Sequence, residues 1–135
     1  MTQTTQQISS EWLAKAGLRP TRQRLALAKL LFDQGDCHLT AEQLHTAART
    51  AGVKVSLATV YNTLHQFKDV GLLREVVVEA GRSYFDTNTS EHHHFFSETT
   101  GELIDIPADA VSVMNLPQMP PGQSLDRVDV IVRLR

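Results

Sequence analysis

The chain has 135 residues, 15.0 kDa of mass and 41% hydrophobic content, which makes room for one globular domain or two very small ones. No apolar stretch approaches the roughly 18–20 residues of a membrane span, and the polar start, Met1 to Ser9, lacks the basic and apolar regions of a signal peptide, so the cytoplasm is the expected compartment. A single cysteine, Cys37, excludes an intrachain disulfide framework and any Cys-x-x-Cys zinc site. The net charge of −2 gives no global sign of nucleic-acid binding, but residues 1–80 carry nine Lys/Arg against seven Asp/Glu while residues 81–135 carry four against eight. A mildly basic front and an acidic rear fit a nucleic-acid module joined to a metal-binding one.

In chain order, Ser9 or Ser10 is placed to cap a short helix carrying Trp12, Leu13 and Ala16, with Gly17 beyond it. Pro20 and Thr21 open a second helix whose apolar face holds Leu27, Ala28, Leu30 and Leu31, and Gly35 is expected to end it. Thr40-Ala41-Glu42-Gln43 is a capping box opening a third helix, with Leu44, Ala47, Ala48 and Ala51 toward the core and Gly52 as its stop. Ser56-Leu57-Ala58-Thr59 caps a fourth, in which Val60, Leu64 and Phe67 make one buried stripe. Its opposite face shows Thr59, Tyr61, Asn62 and His65, and Gly71 closes it.

Glu75–Glu79 and Ser83–Asp86 read as a hairpin about Ala80-Gly81-Arg82. Helices followed by a hairpin describe a winged helix-turn-helix, with the fourth helix in the major groove. Further strands are expected at His93–Ser97 and Glu102–Ile106 about Thr99-Thr100-Gly101. The prolines 117, 120 and 121 exclude a regular helix over Asn115–Gly122, and the alternation from Arg127 to Arg135 predicts a last strand, placed to pair across a dimer.

The run Glu91-His92-His93-His94-Phe95-Phe96 carries the chemistry. Imidazole binds transition metals and haem iron near neutral pH. On a strand His92 and His94 face one side and His93 the other, so an ion taking the first two leaves His93 for a second site or a haem. The blander alternative is a solvated polar turn.

The segments Gly17-Leu18-Arg19-Pro20-Thr21-Arg22-Gln23-Arg24, His38-Leu39-Thr40-Ala41-Glu42, Ser56 through Leu64, Tyr84-Phe85-Asp86 and His92-His93-His94 closely resemble the ferric uptake regulator family in order and spacing, from about residue 12 to residue 106. The triple histidine, the absent paired cysteines and the shortened C-terminal region look most like its iron response regulator branch. The resemblance implies an α+β chain, with a winged helix-turn-helix DNA-binding domain over 1–86 and a small α/β dimerisation domain over 87–135. It also implies a regulatory metal site of His38, Asp86, His92, His94 and Asp105. Three imidazoles and two carboxylates suit Fe(II), Mn(II) or Zn(II). Taken singly, Asp86 also reads as a strand end, Asp105 as an edge carboxylate and His38 as a neighbour of a helix start.

Two departures from the family pattern matter. Ser97 and Thr100 stand where a first Cys-x-x-Cys pair is common, so no structural four-cysteine zinc is expected. The proline-rich 115–122 stands where a longer helix is common. Some members of the branch resemble haem sensors using a Cys-Pro motif. Here Cys37 precedes His38, leaving His92, His93 and His94 as the haem candidates.

For DNA, Tyr61 suits a thymine methyl and Asn62 an adenine, where relatives often carry Arg. Arg19 matches a minor-groove position, Arg22 and Arg24 would reach phosphates, and Ser56 and Thr59 lie at the start of the reading helix. The reading is a cytoplasmic homodimeric regulator of iron or haem metabolism genes on A·T-rich operators, controlled by metal or haem, without a membrane partner and not an enzyme. The alternative within the family is a Mn(II)/Fe(II)-responsive or peroxide-sensing repressor. A metal-dependent hydrolase built on His92, His94 and Asp86 would lack an evident general base and leave the winged-helix pattern unexplained.

Overall fold

The computed structural model describes residues 5–135, with side chains from Ser10 onward, and divides into two units, one ending at Thr89 and the other spanning Ser90–Arg135. The first is made of α1 (Thr5–Lys15), α2 (Arg22–Phe32), β1 (His38–Leu39), α3 (Ala41–Thr50), α4 (Leu57–Asp69), β2 (Arg74–Glu79) and β3 (Arg82–Asp86).

Capping explains where three of these helices begin. Thr21 accepts from the N–H of Arg24, Thr40 and Gln43 close a reciprocal capping box, and Ser56 accepts from the N–H of Thr59. α1 instead starts at Thr5, so Ser9 and Ser10 lie inside it rather than at its cap. α3 and α4 end alike. The N–H of Val53 reaches the carbonyl of Ala48 and that of Leu72 the carbonyl of Phe67, at 2.8 and 2.9 Å. Gly52 and Gly71 take the left-handed conformation this closure requires, with φ of 76° and 83°. α2 ends earlier than Gly35, with Asp33 as its C-cap.

The core of the first unit is the apolar face of each helix. Leu13, Leu27, Leu31, Leu44, Val60, Leu64 and Phe67 are fully buried, with Phe85 from the hairpin beneath them. The expected stripe on α4 is all present. On α3, Ala41 takes a core place and Ala51 is exposed, because the helix closes before Ala51 turns inward. β2 and β3 form the wing hairpin, with a register shift between Val77 and Glu79. β1, not foreseen from sequence, pairs antiparallel with β3 and completes a sheet of order β1-β3-β2.

The second unit is a three-stranded sheet of order β5-β4-β6, from β4 (His92–Ser97), β5 (Leu103–Pro107) and β6 (Ile131–Leu134). β4 and β5 are antiparallel across the expected turn, where Gly101 donates to the Ser97 carbonyl. The helical content described here is one 3-10 turn, Ala108–Ala110. No regular helix forms over 115–122. The last strand is shorter than the alternation from Arg127 suggested, and it pairs parallel to β4 within the same chain. Just ahead of it the Val130 N–H bonds the His93 ring at 3.1 Å instead of a strand carbonyl, so the ladder starts at Ile131.

Candidate metal centre

On β4 the side chains alternate as the pleat requires. His92, His94 and Phe96 are buried while His93, Phe95 and Ser97 are half-buried on the other face. The hairpin register sets His94 opposite Asp105. The Nε2 atoms of His92 and His94 both point at Asp105 Oδ1, at 3.6 and 3.3 Å. The two rings meet edge to face with centroids 4.6 Å apart, and the three donor atoms all lie within 4.8 Å of one another.

One further contact decides what this arrangement favours. His92 Nδ1 lies 2.7 Å from the carbonyl oxygen of Ser90, which only accepts, so Nδ1 carries the proton of that bond. In the neutral ring Nε2 is then a bare lone pair directed at a carboxylate oxygen. Two acceptors face each other there, and a cation between them removes the repulsion. A proton serves one such pair, whereas a metal ion serves all three donors. A carbonyl fixing the far nitrogen of a ligating histidine is also the usual outer-shell support of a metal site.

His93 does not join this group. Its Nδ1 accepts from the N–H of Val130 at 3.1 Å, tying the face opposite His92 and His94 to the chain entering β6. The three consecutive histidines therefore do not converge on one ligand.

In the first unit, β1 and β3 pair His38 with Asp86, and the hairpin pairs Asp86 with Arg74, so one row across the sheet reads His38, Asp86, Arg74. Asp86 is 1% exposed and Arg74 4%. Asp86 Oδ1 accepts from the N–H of Asn88 at 2.9 Å, and the His38 ring lies edge-on to Tyr84. Arg74 was missed in the sequence. Its place opposite Asp86 follows from the hairpin register, which the Gly81 turn and the bulge set together. Cys37 is half-buried with its N–H on Thr87 Oγ1, and burial pushes its thiol above the ordinary range.

Of the residues expected to meet DNA, Arg19, Arg22, Ser56 and Asn62 are exposed, and Thr59 and Tyr61 are half-buried. Ser56 also donates to Thr59 Oγ1 at 2.9 Å, and Tyr61 donates to Glu42 at 2.7 Å. Arg24 is a correction. Its Nε and Nη2 bond Gln66 Oε1 at 3.2 and 3.1 Å, and Nη1 bonds the Arg19 carbonyl at 2.9 Å. It docks α2 on α4 through Nε, Nη1 and Nη2, which fixes the guanidinium within the first unit.

A helix-rich unit bearing a β-wing, followed by a small sheet with converging imidazole and carboxylate donors, defines a winged-helix chain with a metal-binding module. Residues 15–119 match the ferric uptake regulator family, and the chain belongs to it. It is 38% identical over 93 residues to the peroxide-responsive repressor PerR of Staphylococcus epidermidis, covering 69% of this chain and 61% of that one; PerR of Staphylococcus aureus matches at 37%. The chain thus spans about three fifths of the length of these curated relatives.

Among solved structures it is similar to the ferric uptake regulator of Pseudomonas aeruginosa with manganese (TM-score 0.70, 26% identity, 95% of this chain and 97% of that one). It is likewise similar to that of Vibrio cholerae (TM-score 0.72, 26% identity, 92% and 96%). Among the described residues, no helix is long and apolar enough to cross a membrane.

Proposed function

We propose that this chain is a homodimeric, DNA-binding transcriptional regulator of the cytoplasm, controlled by a divalent ion, and that it is not an enzyme. The observation that carries the metal half is the aim of two buried imidazoles at Asp105, with the His92 tautomer set by Ser90. His38 and Asp86, neighbours in one row of the first sheet, complete the donor set in this reading. Three nitrogens and two carboxylate oxygens suit Mn(II), Fe(II) or Zn(II). In this reading ion binding is coupled to DNA binding by α4. Operators rich in A·T, read by Tyr61, Asn62 and Arg19, belong to the same proposal.

The Mn(II)/Fe(II)-responsive or peroxide-sensing alternative has more support than haem control. The relatives at 37–38% identity are peroxide-responsive repressors, and a ferric uptake regulator of the same fold carries manganese. Haem control by an iron response regulator rests on the sequence motif alone. His92 and His94 are 5% and 1% exposed, and His93 is turned away with one ring nitrogen engaged.

The test is a gel shift on promoter DNA with apo protein, then with Mn(II), Fe(II) or Zn(II), and with haemin in parallel. The expected result is a metal-dependent shift, absent in a His92→Ala/His94→Ala variant. With Fe(II) loaded, hydrogen peroxide is expected to release DNA, whereas the Mn(II) form resists. A shift governed by haemin and indifferent to divalent metal would overturn the reading.

A further inference from the structure

We propose that Glu42 is a positioning residue for Tyr61, and that the pair sets the sequence discrimination of α4. The inference rests on the DNA-reading role proposed above. The phenolic O–H of Tyr61 donates to Glu42 Oε1 at 2.7 Å, tying the reading helix to the first turn of α3. The tyrosine ring packs against the core of the first unit while the carboxylate is exposed. The bond is charge-assisted, the stronger kind: it holds the Glu42 carboxyl below the usual carboxylate range, and Glu42 pushes the Tyr61 hydroxyl up. Glu42 itself is held in place, because Thr40 and Gln43 lock the start of α3 and a helix N-terminus favours an anion in its first turn.

Two consequences follow from this geometry. The hydroxyl proton is engaged within the protein, so Tyr61 has none to donate to a base and meets it through its ring edge, which suits a thymine methyl. Ser56 likewise gives its hydroxyl proton to Thr59 Oγ1, whereas Asn62 is exposed and offers a base both a donor and an acceptor. A carboxylate beside the reading helix also repels phosphates and so lowers affinity for every duplex alike. A charge in that place raises discrimination if it orients the tyrosine for one base step.

The experiment uses the Mn(II)-loaded full chain. A preferred duplex is first selected from a random-sequence pool with the wild type. Anisotropy titrations at one salt concentration then give the affinity ratio between that duplex and a scrambled one. Glu42→Ala is expected to lower the ratio about tenfold, the scale of one charge-assisted hydrogen bond, without weakening binding to the scrambled duplex. Tyr61→Phe should match it, the double variant should be no worse than either, and Glu42→Gln, which keeps an acceptor oxygen, should restore much of the ratio. Thermal melts follow folding, since a merely structural glutamate would change stability and leave the ratio alone. An unchanged ratio in Glu42→Ala beside a lowered one in Tyr61→Ala overturns the inference while leaving the reading of α4 intact. Additive losses in the double variant also overturn it. An unchanged ratio in Tyr61→Ala removes the reading of α4 and the inference with it.

Discussion

Three adjacent residues of one type have two different roles because a strand turns alternate side chains to opposite faces. His94 is buried and aimed at Asp105, whereas His93 caps the backbone N–H of Val130. His94→Ala should lower Mn(II) affinity by more than about 100-fold, beyond the 10–100-fold typical of outer-shell partners. His93→Ala should leave it close to wild type and instead loosen the start of β6. Calorimetric titration separates the two, and equal losses would sink the assignment. The alternation was legible in the sequence once a strand was expected. The partner of His94 was not, because Asp105 reaches it through a register that the turn residues alone do not specify. The Ser90 carbonyl that sets the His92 tautomer left no sequence signal either.

Cys37 gives a second residue-scale expectation. Burial keeps it a thiol near neutral pH, so iodoacetamide should label it slowly at pH 7.5 and rapidly in urea. Its folded pKa lies above the unfolded one, so the folded state binds the extra proton. Stability from this group is therefore intact below the ordinary thiol pKa and falls as pH rises beyond it. Fast labelling of native protein would contradict that placement.

Element by element, the helices were the most readable part, since each carries both a cap and an apolar stripe. Thr21, Thr40 and Ser56 start helices where side-chain chemistry demands, and Gly52 and Gly71 stop them. β1 escaped because two residues, His38 and Leu39, cannot show a period; pairing with β3 alone makes them a strand. β6 was overextended for the opposite reason: its alternation begins before the ladder does, because the Val130 N–H bonds the His93 ring and not a strand carbonyl.

Gly71→Ala is a clean probe of helix closure. A Cβ there meets nothing within 4 Å, so its cost is the left-handed backbone alone, about 1–2 kcal/mol. Leu64→Ala, in the fully buried stripe of α4, should cost about 2–5 kcal/mol. Urea unfolding would check both, and a Gly71 variant as stable as wild type would remove the strain argument.

The wing is tied to α4 by Lys68 and Glu75 at 2.9 Å. Burial pushes the Glu75 carboxyl up, but hydrogen bonds from Lys68 and Ser83 outweigh it and hold the group low. That contribution is present above the ordinary glutamate pKa and is lost as pH falls through the lowered one. Lys68→Ala should therefore flatten the acid limb of the stability curve.

For the whole molecule, the two units differ in how much they can bury alone. The first has a core drawn from four helices and a hairpin. The second buries Phe96, Leu103 and Ile106 beside its two histidines, and leaves Ile104, Val132 and Leu134 exposed at 45%, 36% and 41%. Ile104 and Val132 both stand level with Phe95 in the ladders, so the face opposite the metal donors is an apolar row across all three strands. A sheet face of this kind ordinarily meets another protein surface. The residues at 97 and 100 are Ser and Thr, and Cys37 lies in the first unit, so the strands of this sheet offer no thiolate to a zinc ion.

If a second copy covers that row, chelation alone should leave the dimer whole, because its stability comes from apolar area at about 25 cal/mol per Å² and not from an ion. Equilibrium sedimentation in EDTA should therefore show dimers. Ile104→Asp with Val132→Asp should give monomers, since two carboxylates on this row would be buried without partners. Both changes lie on the face away from His92 and His94, so Mn(II) binding by the separated chains tests that the unit still folds. Monomers in EDTA with wild-type residues would place the ion, and not the sheet face, at the origin of assembly.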